Sequence, residues 1–224
     1  MFTLFFVEDL PTTIGAHYEF ANEDANHAIR VLRMQVGVEF MLSDGNGAWS
    51  QVKAVEVSKK SMQVEVIDSG FQEALPTTIT VVQALPKGDR SKEAIELLTE
   101  AGVDRIVPWA ASRSIGKGTE KFAITAREAS KQSRRFRIPE VTDLATTAQI
   151  CEAIKISDLA IAFHESNVQH LLIIIGPEGG ITDEELAAFE AAGAKVALMG
   201  RPILRSAHAG IAAVSAVSAL LKVW

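Results

Sequence analysis

The stretch Leu171-Leu-Ile-Ile-Ile-Gly176-Pro177-Glu178-Gly179-Gly180-Ile-Thr182-Asp-Glu-Glu185 decides how the C-terminal part of this chain is read. Five consecutive apolar residues suit a strand covered on both faces, as in a parallel sheet flanked by helices. Three glycines and a proline then break the run. Thr182 with Glu185 three positions on is a capping box, so a helix opens there and closes at Gly193. A strand, a Gly-rich loop and a capped helix set that loop at the carboxyl edge of a sheet, where open α/β folds bind ligands. The loop has no Gly-Lys-Ser/Thr of a phosphate-binding P-loop and no Gly-x-Gly-x-x-Gly dinucleotide pattern. Spacing alone leaves a tight structural turn and a cofactor cradle both open.

The same grammar extends in both directions. Downstream, a strand at Val196 to Met199 runs through Gly200-Arg201-Pro202-Ile203-Leu204-Arg205 into a final helix from Ala207 to Lys222. Consecutive crossovers bring parallel strands side by side, so the two strand-to-helix turns should share one sheet edge and converge on a pocket. Arg205 stands at a helix start, where the dipole disfavours a cation, which hints that the guanidinium is used. Upstream, strands are predicted at Ile79 to Leu85, Arg105 to Trp109 and Leu159 to Phe163. Helices are predicted from Asp89 as cap through Ala101 with Gly102 beyond it, from Glu120 to Arg135, and from Ala148 to Lys155. This part is α/β. The final helix is apolar, but His208, Ser215, Ser218 and Lys222 interrupt a stretch already near the lower limit of ~17–20 apolar residues for a membrane span. A buried helix is expected there, and no membrane partner.

Before residue 73 the pattern differs. Phe2 to Val7, Val38 to Leu42, Ala48 to Val57 and Met62 to Ile67 read as strands, and Asp44-Gly45-Asn46-Gly47 as a hairpin turn. Asn22 is a plausible N-cap for one helix, with Ala25, Ala28, Ile29 and Leu32 at helical spacing. A small β-barrel with one helix is predicted.

Composition bounds the function. The 224 residues hold 22 Lys+Arg against 28 Asp+Glu and one cysteine. A chain of this length builds a full core without staples, and Cys151 has no internal disulfide partner. No Cys/His cluster has zinc spacing, so no metal is expected. The N-terminus MFTLFFVEDLP has no basic leader and reads as a strand, and a reducing cytoplasm is the expected home. A net charge of −6 argues against a nucleic-acid partner until its distribution is considered. Residues 113–137 hold eight basic side chains (Arg113, Lys117, Lys121, Arg127, Lys131, Arg134, Arg135, Arg137) against Glu120 and Glu128. That is either a solvated helix face or a phosphate-binding surface.

Gly176-Pro-Glu-Gly-Gly180 followed by Thr-Asp-Glu-Glu, with Met199-Gly200 and Ile203-Leu204-Arg205 before an Ala-rich terminal helix, resembles the SPOUT (α/β-knot) methyltransferases. More narrowly the chain resembles the RsmE family, which methylates N3 of a uridine in small-subunit ribosomal RNA. The likeness covers nearly the whole chain. His27-Ala-Ile-Arg30-Val-Leu-Arg33 with the Asp44 to Gly47 turn resembles a PUA-like N-terminal domain. Pro86-Lys-Gly-Asp-Arg90, Glu100-Ala-Gly-Val103 with Ile106-Val-Pro108, and Ala129-Ser-Lys-Gln-Ser-Arg-Arg135 resemble central motifs. The resemblance implies a PUA-like β-barrel over residues 1–72 and an α/β SPOUT domain with a deep trefoil knot over 73–224. It also implies bound S-adenosylmethionine, a homodimer, and 16S rRNA, within the assembled small subunit, as substrate. Where many members carry Arg-Thr-Glu-Thr-Ala, this chain has Arg205-Ser206-Ala207-His208-Ala209, and Ala207 is assigned no catalysis.

On this resemblance, backbone groups of Ile175, Gly176, Pro177, Gly179, Gly180, Leu198, Met199, Gly200, Ile203 and Leu204 are expected to hold the cofactor. Glu165 at the rim and Ala209 join them. N3 of uridine is protonated at neutral pH and hidden in a duplex, so catalysis needs an unpaired base, loss of the imino proton and stabilisation of charge on O2 and O4. Arg205 is expected to stabilise that charge and Glu178 to accept the proton, although a carboxylate bonded to nearby amides would look the same in sequence. Phosphate contacts are expected from Arg30, Arg33, Lys87, Arg90, Lys131, Arg134 and Arg135. His27, His164 and His170 rank as structural, His208 stands beside the expected pocket, and Cys151 reads as a small hydrophobe. Two other readings stay open: a knotted methyltransferase acting on tRNA or a ribose 2′-hydroxyl, and a noncatalytic RNA-binding assembly factor.

Overall fold

The computed structural model describes residues 2–88, 90–116, 118–158, 170–177, 179–197 and 206–221. The chain divides into two compact units, residues 1–74 with 130–138, and residues 75–129 with 139–224.

The first unit is built on a five-stranded sheet. Its elements are β1 (Leu4–Phe6), β2 (His17–Phe20), α1 (Glu23–Arg30), β3 (Glu39–Ser43), β4 (Ala48–Val57) and β5 (Met62–Phe71), with spatial order β1-β3-β4-β5-β2. The turn at Asp44 to Gly47 joins antiparallel β3 and β4 as its residues predict. β1 and β2 are the two ends of the sheet, yet Phe5 and Phe20 place their ring centroids 5.4 Å apart. The sheet is therefore rolled around one core, in which Phe40, Leu42, Val52, Val64 and the α1 residues Ala25 and Ala28 are buried. Asn22 caps α1, its side chain accepting from Ala25 N at 3.0 Å. Leu32, predicted on the helical face, instead lies past the end of α1 and is exposed. The turn closing that helix takes Leu32 off the core face.

The second unit contains β6 (Thr78–Ala84), α2 (Arg90–Glu100), β7 (Arg105–Trp109), α3 (Phe122–Ser133, whose last turn groups with the first unit), β8 (Glu140–Val141), α4 (Thr147–Lys155), β9 (His170–Ile175), α5 (Asp183–Ala191) and α6 (Ser206–Leu221). Strand order is β8-β7-β6-β9 and every pairing is parallel. Side chains alternate across this sheet. Ile79, Val81, Leu171 and Ile173 pack with Ile95 and Leu98 of α2, Phe122 of α3 and Val214 of α6. Val82, Ala84 and Leu172 pack on the other face with Ile150 and Ile154 of α4 and Phe189 of α5. The unbroken apolar run of β9 is thus explained by helices on both sides.

β2 and β8 were not predicted. The predicted strand at Leu159 to Phe163, the cap Asp89 and the segment 198–205 lie outside the described residues. Val196 and Ala197 form no strand, contrary to the prediction from their apolar character, and Val196 is 60% exposed. The knot is an expectation from the resemblance alone, and the segment 198–205 lies outside the described residues.

Candidate active site

Three parallel strands, β6, β7 and β9, send their chains out at the same carboxyl edge of the second sheet. The loops after β7 and β9 are tied to one another by hydrogen bonds. Glu185 in the first turn of α5 is 5% exposed. Its Oε1 accepts from Ser112 N at 2.7 Å and Ser112 Oγ at 2.8 Å, and its Oε2 accepts from Thr182 N at 3.0 Å and Thr182 Oγ at 3.1 Å. The capping box read from the sequence therefore also fastens the loop after β7 to the loop after β9. Burial raises the Glu185 pKa, but hydrogen bonds from Thr182 and Ser112 outweigh it and hold the carboxyl below its usual range. Arg113 Nη1 adds a bond of 2.8 Å to the Gly179 carbonyl.

The start of α6 joins the same edge. Ser206 Oγ donates to the Gly176 carbonyl at 2.8 Å and accepts from Gln83 Nε2 at 3.1 Å. Gln83, at the end of β6, is 1% exposed, and its Oε1 has no partner among the described residues. An unpaired buried carbonyl oxygen is costly unless a ligand or water satisfies it. Gly180 has φ +79°, a left-handed conformation that a side chain would strain. A polar, glycine-lined rim with a spare buried acceptor fits a polar small-molecule cofactor.

Of the residues expected at the cofactor, Ile175, Gly176, Pro177, Gly179, Gly180 and Ala209 are brought to this edge by β9, its loop and the first turn of α6. Glu165, Glu178, Leu198, Met199, Gly200, Ile203, Leu204 and Arg205 lie outside the described residues. Ala207 is buried. His208 faces α2 instead, with Nε2 3.3 Å from Glu93 Oε1. Cys151 on α4 is half-buried against the Ala188 carbonyl. Sequence reasoning missed Gln83, Ser112 and Ser206. A glutamine in an otherwise apolar strand run, Val81-Val82-Gln83-Ala84, was the available signal for the first.

Among the expected RNA contacts, Lys87 and Arg90 stand on the loop after β6 and at the start of α2, hence on the carboxyl edge, and both are exposed. Arg30 is exposed on the last turn of α1. Lys131 is committed to an ion pair, its Nζ 2.6 Å from Asp24 Oδ1, with side chains only 12% and 15% exposed. Arg33 and Arg134 share a feature that sequence did not reveal. They have φ of 51° and 56°, and no other described non-glycine residue has positive φ. Each follows a helix end where glycine or asparagine is relaxed and arginine is strained. Both are exposed. Among the described residues there is no cluster able to hold a metal ion and no helix long and apolar enough to cross a membrane.

A family model described as an RNA methyltransferase domain matches residues 73–218, and one described as an RNA methyltransferase PUA domain matches residues 20–67. The chain is 32% identical to the ribosomal RNA small subunit methyltransferase E of Mycobacterium bovis, covering 99% of this chain and 93% of that protein. It belongs to the RsmE family. The Bacillus subtilis member is 28% identical over 95% of this chain and 91% of its own length. The crystal structure of the Neisseria gonorrhoeae RsmE bound to S-adenosyl methionine superposes with a TM-score of 0.85 at 22% identity, covering 98% of each chain, and shows that the fold is shared. In RsmE terms the five-stranded unit carries the PUA domain, and the parallel sheet carries the methyltransferase domain.

Proposed function

We propose that this RsmE protein transfers the methyl group of S-adenosylmethionine to N3 of a uridine in 16S ribosomal RNA. The observation that carries the reading is the convergence of the Gly176 to Gly180 loop and the start of α6 on one carboxyl edge of the parallel sheet, beside the unpaired oxygen of Gln83. When bound, the cofactor supplies an electrophilic methyl on a sulfonium. Backbone groups of Ile175, Gly176, Pro177, Gly179 and Gly180, with Leu198, Met199, Gly200, Ile203 and Leu204, hold it, together with Glu165 and Ala209. Gln83 offers the cofactor a buried acceptor.

Arg205 stabilises the negative charge that develops on uracil O2 and O4 as the N3 proton leaves, and Glu178 accepts that proton. Arg30, Arg33, Lys87, Arg90, Arg134 and Arg135 contact RNA phosphates, while Lys131 acts through the ion pair that holds its segment against α1. The division of labour proposed is RNA docking by the barrel at 1–72 and methyl transfer by 73–224. A trefoil knot, a homodimer, cytoplasmic location and the assembled small subunit as substrate complete the proposal, each supported by family resemblance.

Arg205→Ala tests the central role. Single-turnover methylation should fall by about 10²–10³-fold, as expected for loss of a charge-stabilising donor, with cofactor affinity by calorimetry unchanged. An unchanged rate would remove Arg205 from the chemistry. Failure of the wild type to bind S-adenosylmethionine would favour the noncatalytic assembly factor.

A further inference from the structure

The outward face of the first sheet carries a feature that the methyl-transfer chemistry does not use. Side chains alternate along β3 and β4, so the face opposite the core presents Leu4, Met41 and Gln51 in one cross-strand row, and Phe6, Ser43 and Trp49 in the next. Gly70 on β5 is the partner of Trp49, and a Cβ there would stand 2.6 Å from the indole. Glycine at that position lets the ring lie across the neighbouring strand. The segment 130–138 covers part of this face. Phe136 stacks on Trp49 with centroids 5.8 Å apart and planes at 22°, and its carbonyl accepts from Gly47 N at 3.0 Å. What remains open is a cavity of about 370 Å³ lined by Phe2, Leu4, Met41, Trp49, Gln51, Arg134 and Phe136.

We propose that this cavity takes one unpaired nucleobase of the RNA substrate, at a site separate from the base to be methylated. The volume is near the lower end of about 300–1,000 Å³ for small-ligand pockets, the size of a single flat ring system with its sugar at the mouth. Phe2, Trp49 and Phe136 offer aromatic surface for stacking, which every base accepts regardless of sequence. Phe2 is 39% exposed in the absence of any partner. Charge selects the occupant. Arg134 is exposed, its guanidinium makes no hydrogen bond or ion pair to any described residue while its backbone N donates to the Lys131 carbonyl at 3.2 Å, and it is held in a strained left-handed conformation at the rim. A guanidinium beside an aromatic slot complements a base with its own phosphate. Gln51, whose Nε2 donates to Glu39 Oε2 at 2.9 Å, supplies the polar edge. The proposal rests on the RNA-methylating function above for the identity of the polymer.

The test uses the full chain and single-stranded oligouridylate of about 12 nucleotides, fluorescein-labelled, intact or with one abasic position. Phe2→Ala and Trp49→Ala should each weaken binding of the intact oligonucleotide by about 5–100-fold, the range for losing one stacked base. Both should leave cofactor affinity unchanged. The abasic oligonucleotide should bind more weakly than the intact one to the wild type and equally to Trp49→Ala. Arg134→Gly relieves the left-handed strain, so it should fold at least as well as the wild type. It should reduce the log–log salt slope by about 0.7. A 5-iodouridine probe should crosslink to Trp49 or Phe136. Equal affinity of Trp49→Ala and the wild type, or crosslinks confined to other residues, would overturn the proposal. So would conversion of a dimer to a monomer by Phe2→Ala with RNA affinity intact, because the occupant would then be a second copy of the chain. Loss of methyl transfer in the wild type with these RNA effects preserved would instead overturn the function and leave the pocket standing.

Discussion

Glu185 shows how one side chain can serve a local and a long-range purpose. It completes the cap of α5 and holds Ser112 on the loop after β7, with each carboxylate oxygen accepting two bonds. Its native pKa is depressed. The stabilisation is therefore fully present above the ordinary carboxylate value of about 4.3 and is lost as pH falls through the lower native value. Glu185→Gln should cost roughly 1–3 kcal/mol at neutral pH by leaving donors unmatched, and should flatten the acid limb of the stability curve. Thermal melts of both proteins between pH 3 and 7, at about unit intervals, check this. Arg33 makes the opposite prediction. Arg33→Gly should hold or raise stability by up to about 1 kcal/mol, because the left-handed conformation is relaxed, while weakening RNA binding. A chemical denaturation curve beside a filter-binding curve separates the two effects.

At the scale of elements, the turn between β3 and β4 is held on two sides. Gly47 has φ +110°, and a Cβ there would stand 2.6 Å from both the Gln72 carbonyl and Arg137 Nη2. Gly47→Ala should cost about 1–3 kcal/mol, read as a lowered melting temperature, and should loosen segment 130–138, whose Arg137 also bonds the Gln72 carbonyl at 2.9 Å. The Asp-Gly-Asn-Gly signal foretold a hairpin, but its second purpose, making room for a distant segment, was not legible because nothing local encodes a partner some 90 residues away. The same limit explains other differences. β7, α4, α5 and α6 were legible because apolar periodicity and caps are local properties, and β4 runs over the residues that alternation indicates. β2 was missed because only Phe20 of its four residues is buried, and β8 because two residues carry no pattern. Val196 misled because an apolar residue at a surface has the same letter as one in a core. In the candidate site, the glycine loop and the start of α6 were legible from motif and cap. Gln83 was not, since its meaning lies in Ser206, more than 100 residues along the chain.

For the whole molecule, a net charge of −6 hides a division of labour. Acidic residues dominate the first 75 positions, while the surplus of cations falls in 113–137. RNA binding should therefore weaken as salt rises, with a log–log slope of about −0.7 for each single-stranded phosphate contact. Neutralising Arg134 and Arg135 together should flatten that slope by more than either change alone. A slope near zero for the wild type would deny the basic segment any part in binding.

The most direct measurement is of the modified nucleoside. Small subunits and naked 16S rRNA carrying unmodified uridine are incubated with the purified protein and isotopically labelled S-adenosylmethionine. The RNA is then digested and its nucleosides are separated by mass. We expect label in N3-methyluridine alone, at one site per RNA and appearing about 10²–10³-fold more slowly with Arg205→Ala. Label in a 2′-O-methyl nucleoside, or in none with the cofactor bound, would contradict the assignment.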